Sequence, residues 1–485
     1  MHQVNGFYSR FLILVKGFCL IPLAFNLVAC ASSKENNTHL KENHQTSIAF
    51  PGAEGFGKYT IGGRGGKVLI VQNTNDNGPG SFREAAEDNF PRIIVFAVSG
   101  TIHLQKKVII KSNATIAGQS APGDGICFAD MSVTIGGDNV IVRYLRFRLG
   151  DKFQKGGMVD GNGGDDAFGG TKRKNIIIDH CSFSWSTDEA FSIYAGDSMS
   201  VQWNLVAEPL NYSYHFEKGD SDYEHHGYGA IWGGMHASFH HNLFAHCNSR
   251  TPRFNGIRHT KEENCDYTNN VIYNWGGNNV YAGEGGNYNI INNYYKPGPS
   301  TKKNTLNQLV NPFRRNDIPF GKWYVNGNIM EGNQSLSKDN SLGIKLNEPL
   351  PDDKIENVCI KNPFSFMTTN IQSANKAYEL VLADVGCKFP ARDTLDERIL
   401  NDVKNGTGRF IDVQGGFPHG TAFEETEKAW PNLHSGSVSI DTDLDGMPDE
   451  WEKQKGLNPL ENDASLFQLE KHYTNVEVYL NQLVK

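Results

Sequence analysis

Short runs of β-branched and aromatic residues, each followed by asparagine, histidine or glycine, recur through the middle of the chain. They read VRYLRF from Val142, IDHCSF from Ile178, VQWNLV from Val201, FHHNLF from Phe239, YTNNVI from Tyr267, IINNYY from Ile290 and VNGNIM from Val325. Runs this short, separated by a bend and a loop, point to a solenoid and not to strands alternating with long helices. Asparagine at equivalent bends tolerates left-handed backbone and lets its amide bond to the next coil. The upstream segments VIIKSNATIAG and VTIGGDNVIV keep the rhythm, so the coil is expected to begin near residue 65. The pattern therefore predicts an all-β chain, a parallel β-helix in which each coil buries its inner face on the next. Insertions then collect on one side, where they build a groove.

The two ends break this pattern. FYSRFLILVKGFCLIPLAFNLVAC is an apolar run interrupted by Arg10 and Lys16, and its uncharged part is too short to span a bilayer as a helix. It reads as an export signal over residues 1–29, and its Leu27-Val28-Ala29-Cys30 ending resembles a bacterial lipobox. That resemblance implies acylation of Cys30, a polar tether over residues 30–47, and an exported protein anchored by lipid to the outer membrane or secreted. Near the C-terminus, DTDLDGMPDEWE sets Asp441, Asp443, Asp445, Gly446, Asp449 and Glu452 at the spacing of an EF-hand-like calcium loop. YTNVEVYLNQLVK is expected to form a short helix after it. Residues 436–485 thus read as a small calcium-stapled module following a solenoid domain over 48–435.

Composition narrows the function. Of 485 residues, 38% are hydrophobic and 21% charged, as in a folded globular chain, and 51 glycines imply many turns. Lys+Arg 46 against Asp+Glu 54 gives a formal net charge of -8, so no basic excess exists to hold nucleic acid. A bound polyanion would need a few local cations or a metal. TIGGRGGKV lacks the spacing of a phosphate loop and reads as turn glycines. Cys127, Cys181, Cys247, Cys265, Cys359 and Cys387 show no CxxC or zinc spacing and are expected to be buried apolar residues, with one disulfide possible.

Three charged clusters fall on the repeats. GGDDAFGG carries Asp165 and Asp166, SWSTDEAFSIY carries Asp188 and Glu189, and NSRTPRF carries Arg250 and Arg253. Strand spacing brings successive coils to about 5 Å, so acids distant in sequence can share one metal. Together with FPGAEGFG, GPGSFREAAE, IIVFAVSGTIHL and ATIAGQSAPG, the blocks IDHCSFSW and SRTPRF resemble the calcium-dependent pectate lyases of the pectate/pectin lyase right-handed β-helix superfamily. The resemblance implies β-elimination of α-1,4-polygalacturonate to 4,5-unsaturated products, with Ca²⁺ as cofactor, pectin polysaccharide as partner, and a monomer. It places Asp166, Asp188, Glu189 and Asp165 at the metal, with Glu189 where glycine is usual and Ser192 where a second aspartate is usual. It makes Arg250 the catalytic base and Arg253 a substrate clamp, with Asn255 where a further arginine is often found. Lys218, His225 and His226 are candidates for the remaining substrate contact, while Asp179 and His180 read as structural. Two alternatives stay open, a pectin lyase acting on methyl-esterified chains and a non-catalytic pectin-binding solenoid.

Overall fold

Equivalent apolar positions of successive coils stack in register. Val142, Ile178, Val201, Phe239, Tyr267, Ile290 and Val325, the first residues of the seven repeats, form one column of parallel Cα partners. In the computed structural model, described over residues 47–157, 165–216, 224–366 and 369–484, the chain winds through three parallel sheets. The first sheet starts at Lys67–Val71 and ends at Lys322–Asn326. The second has nine strands, from Gly100–His103 to Ile329–Met330. The third runs from Val108–Ile110 to Val310–Pro312. The long strand Phe191–Gln202 crosses from the third sheet, where Phe191 pairs with Phe168, to the first, where Asp197 pairs with Lys174. The export segment, Cys30, the tether and Lys218 lie outside the described residues.

The bend between the first and second sheets carries an asparagine ladder. Asn204, Asn242, Asn270, Asn293 and Asn328 each donate from Nδ2 to the Oδ1 of the next asparagine in the ladder, which ends at Asn340, at 2.9–3.1 Å. The same oxygens accept the backbone N–H of the preceding coil's asparagine, so each amide closes two bonds between coils. The left-handed residue is not the ladder asparagine but the one before it: Trp203, His241, Asn269 and Asn292 all have positive φ. One residue makes the turn, and the next uses its side chain to tie the turns together.

In-register parallel pairing also stacks like side chains inside the coil. Phe128, Phe147 and Phe183 pack ring on ring, and Phe191, Trp232 and Phe239 continue the column. These rings are fully or almost fully buried, each removing a large apolar area from water. The six described cysteines are free; all are buried except half-buried Cys359.

After Met330 the strand rhythm stops, and two helices that the strand reading did not anticipate, Ala374–Asp384 and Thr394–Asn405, cover the outer face of the second sheet. Val381, Leu395, Ile399, Leu400 and Val403 pack there on Leu205, Ala207, Leu243, Ala245 and Val271. Arg146 and Arg148 project from the sheet into this buried layer and are paired with Asp393, with Arg148 also 3.0 Å from Asp396.

The C-terminal residues lie on the outer face of the first sheet's opening strands. Met447, Ala464, Val476 and Leu480 pack on Ile93, Val95 and Ala117, and Arg64 forms a buried 2.9 Å ion pair with Glu477. The last helix, Asn475–Gln482, starts at a capping box of Thr474 and Glu477. Among the acids before it, burial and then the carboxylates of Asp445, Asp443 and Asp463 push Glu452 up to about 8. Among the described residues, no helix is long and apolar enough to cross a membrane.

Candidate active site

The charged clusters sit where the chain enters strands of the third sheet, one coil after another. Asp166 precedes Phe168–Thr171, Asp188 and Glu189 precede Phe191, and Arg250 precedes Arg253–Phe254. A ladder of bridges joins Glu189 to Tyr228 and Tyr228 to Ser249. One coil, carrying His226 and Tyr228, therefore lies between the acids and the arginines. The Arg250 side chain crosses that gap. Its guanidinium lies 4.3 Å from the centre of the Tyr228 ring and is ion-paired through Nη1 with the buried Glu189 carboxylate. Arg250 also has φ of 59°, a left-handed conformation that costs a bulky residue about 1–3 kcal/mol and is tolerated where the surroundings impose it.

Asp166, Asp188 and Glu189 each offer an oxygen, and these three atoms lie within 4.8 Å of one another. Burial first, and then the Asp188 and Asp165 carboxylates, hold the Asp166 carboxyl well above the ordinary range. Carboxylates gathered this closely repel unless a proton or cation lies among them. An all-oxygen set of this kind fits a hard cation such as Ca²⁺. Asp165 is not among these three and lies 3.0 Å from Lys107 Nζ. Ser192, at the usual position of a second aspartate, accepts a bond from the Ile231 N–H at 3.0 Å.

On the other side of Asp188 stand two histidines. His226 Nε2 is 2.8 Å and His215 Nε2 3.6 Å from Asp188 Oδ1, and the two rings stack at 3.8 Å. His225 points elsewhere; it is exposed and stacks on Tyr212 at 4.5 Å. Arg253 is largely buried, donating to the Phe254 carbonyl at 2.9 Å and to Glu284 at 3.0 Å. Asn255 is fully buried and accepts from Arg258 at 3.1 Å. Asp179 is locked by Arg143, His180 and Gln202 at 2.7–2.8 Å.

Two expected results follow from this geometry. Arg253→Ala leaves the buried Glu284 carboxylate without its cation and is expected to cost about 3–5 kcal/mol of stability, read by chemical denaturation. Arg253→Lys keeps the charge but loses the planar fork that serves both the Phe254 carbonyl and Glu284, and is expected to cost less stability than Arg253→Ala. Nearby, burial pushes Glu263 up to about 8 against the bonds it accepts from Tyr288 and Gly256, both 2.7 Å. An acid whose folded pKa is raised contributes stability that is full below its unfolded pKa and lost as pH rises through the folded one. Between about pH 5 and about pH 9 the melting temperature is therefore expected to fall more for the wild type than for Glu263→Gln, which has no proton to lose. Parallel curves for the two proteins would remove this assignment.

In the C-terminal loop, Asp441, Asp443 and Asp445 gather, and Asp445 also meets Glu452 and Asp463. Asp449 stands apart, both its oxygens taken by the N–H and hydroxyl of Thr442 at 2.8 Å. Sequence reasoning missed Tyr228, His215, Glu284 and Asp463. None carries a spacing signal, since each joins its cluster through the fold and not at a fixed offset along the chain.

Comparison with known proteins identifies the family. The chain is 35% identical over 449 residues, 90% of its own length and 94% of the relative's, to "Probable pectate lyase C" of Aspergillus fumigatus. It is 28% identical over 274 residues, 52% of its length and 64% of the relative's, to pectate lyase 5 of Ambrosia artemisiifolia. No family model matches it. A Bacillus subtilis pectate lyase structure superposes with TM-score 0.46 at 16% identity, over 71% of this chain and 98% of that one, a likeness too loose to carry weight. The solenoid and its relatives define a polysaccharide lyase. The chain belongs to the pectate lyase family, and its activity is that of a pectate lyase. The Aspergillus relatives are fungal and lend nothing to a bacterial lipoprotein signal at the N-terminus.

Proposed function

We propose that the chain cleaves α-1,4-polygalacturonate by calcium-assisted β-elimination in the groove beside the third sheet of a right-handed coil. The observation that carries this reading is the cluster of Asp166, Asp188 and Glu189 with Arg250 ion-paired at its edge. These three carboxylates would hold a divalent cation, which when bound would supply Lewis-acid polarisation of the uronate carboxylate and so acidify C5. Arg250, reaching across Tyr228, takes the C5 proton as the neutral guanidine; the electron pair forms the 4,5 double bond, and the glycosidic oxygen leaves C4 and is protonated from water. The base role comes from the family resemblance of SRTPRF, since arginine is ordinarily protonated. Glu189 has two partners in this scheme, Arg250 and the cation, and so couples the arginine's position to metal binding. Arg253 and His226 supply cationic or polar contacts along the uronate chain, His225 stands aside on Tyr212, the family resemblance alone keeps Lys218 a candidate, and Asp165 neutralises Lys107 at the margin.

The acid cluster favours pectate over methyl-esterified pectin, whose neutral ester offers a cation no carboxylate to bridge. Rates on polygalacturonate and on highly methylated pectin test this: faster turnover of the esterified polymer would favour the pectin lyase reading. Export rests on the N-terminal apolar segment, and lipid anchoring on the Leu27–Cys30 ending alone, both outside the described residues.

A further inference from the structure

The C-terminal acids take no part in the groove chemistry, yet three of them are buried. Glu452 and Asp445 are fully buried and Asp463 is 7% exposed, and their oxygens lie within 4.8 Å of one another. Among the described residues, neither oxygen of Glu452 and neither of Asp443 has a hydrogen-bond partner. A buried carboxylate without a partner is among the costliest groups a fold can hold, and here two are aimed into a cluster of further acids. We propose that Asp441, Asp443, Asp445, Glu452 and Asp463 hold a second divalent cation, which fastens the C-terminal segment to the opening strands of the solenoid.

The ligand set departs from the loop spacing in the sequence. Asp449, at the ninth loop position, lies outside the gathered acids and turns its oxygens to Thr442, whereas Asp463 from beyond the helix Asp449–Lys455 lies with Asp445 and Glu452. Asp441 accepts the N–H groups of Asp445 at 3.1 Å and Gly446 at 2.9 Å, which curls the loop around its own acids. Five carboxylates and no nitrogen or sulfur donor suit Ca²⁺. The site joins three stretches of chain: the loop, the helix bearing Glu452, and the segment of Asp463, whose side chain also accepts from Asn475 at the start of the last helix at 3.0 Å. Met447, next to the loop, is buried on Ile93 and Val95, and the Gly446 backbone approaches Val68 and Val95 too closely for a side chain. Cation binding is thereby coupled to the cover over the first coils, independently of the groove.

The test is Ca²⁺ titration by calorimetry on the whole EGTA-stripped protein, with thermal melts in EGTA and in excess Ca²⁺. Glu452→Gln and Asp463→Asn are each expected to lose one binding event, or weaken it at least ~10-fold, and to lose most of the Ca²⁺-dependent rise in melting temperature. In EGTA both should melt no lower than wild type, because each removes a charge from an unrelieved cluster; a residue with only a packing role would lower both melts. Asp449→Asn should bind as wild type, and all three variants should retain turnover of polygalacturonate. An unchanged Ca²⁺-dependent melt in Glu452→Gln and Asp463→Asn, or loss of the site in Asp449→Asn alone, overturns the proposal. Asp188→Asn, which touches only the groove site, separates a failure here from a failure of the lyase reading.

Discussion

Arg250→Lys is expected to lower kcat at least ~10²-fold while leaving KM within a few-fold of wild type. The substitution keeps a positive charge in the groove, and with it much of the attraction for a polyuronate. What it removes is a planar group held in one pose by the Glu189 carboxylate and the Tyr228 ring. Lysine is a flexible point charge and cannot reproduce both contacts. Steady-state kinetics on polygalacturonate at several alkaline pH values, with melting curves to check the fold, give the answer. If Arg250→Lys keeps near wild-type kcat while His226→Ala loses it, Arg250 only binds substrate and the proton is taken on the coil that carries His226.

Asp188→Asn is expected to raise the Ca²⁺ needed for half-maximal activity by about 10–100-fold. Asp188 is the hinge of the site, sharing one face with Asp166 and Glu189 and the other with His226 and His215. Asparagine preserves an oxygen for the histidine contact but withdraws the charge that a cation requires. Initial rates against free Ca²⁺ distinguish the two functions. A calcium curve identical to that of wild type would assign Asp188 to holding His226 and not to metal.

The fold was legible where the sequence repeats. The first residues of the seven repeats are Cα partners in a single column because parallel in-register pairing preserves position from coil to coil. The ladder was legible in the asparagines, though the left-handed turn falls one residue earlier, on side chains as large as Trp203. The helix Thr394–Asn405 was overlooked despite clear signals: Asp393 caps it, Leu395, Ile399, Leu400 and Val403 form its apolar face, and Gly406 ends it in a left-handed turn. A search for strand rhythm passes over such a segment. The groove was harder, because proximity of Asp166, Asp188 and Arg250 depends on which coils are neighbours. Loops of unequal length hide that order, and the coil bearing Tyr228 stayed unseen between the acids and the arginines. In the C-terminal loop local spacing identified most of the acids, but Asp463 arrives from outside the motif.

The most direct test of the account is the ultraviolet absorbance of a polygalacturonate solution treated with the purified protein, first in Ca²⁺, then after excess EGTA, then after Ca²⁺ is restored. The account predicts that absorbance of the 4,5-unsaturated product rises, stops on chelation and resumes on Ca²⁺ addition. A rise that continues unchanged in EGTA, or new reducing ends without any absorbance, would contradict it.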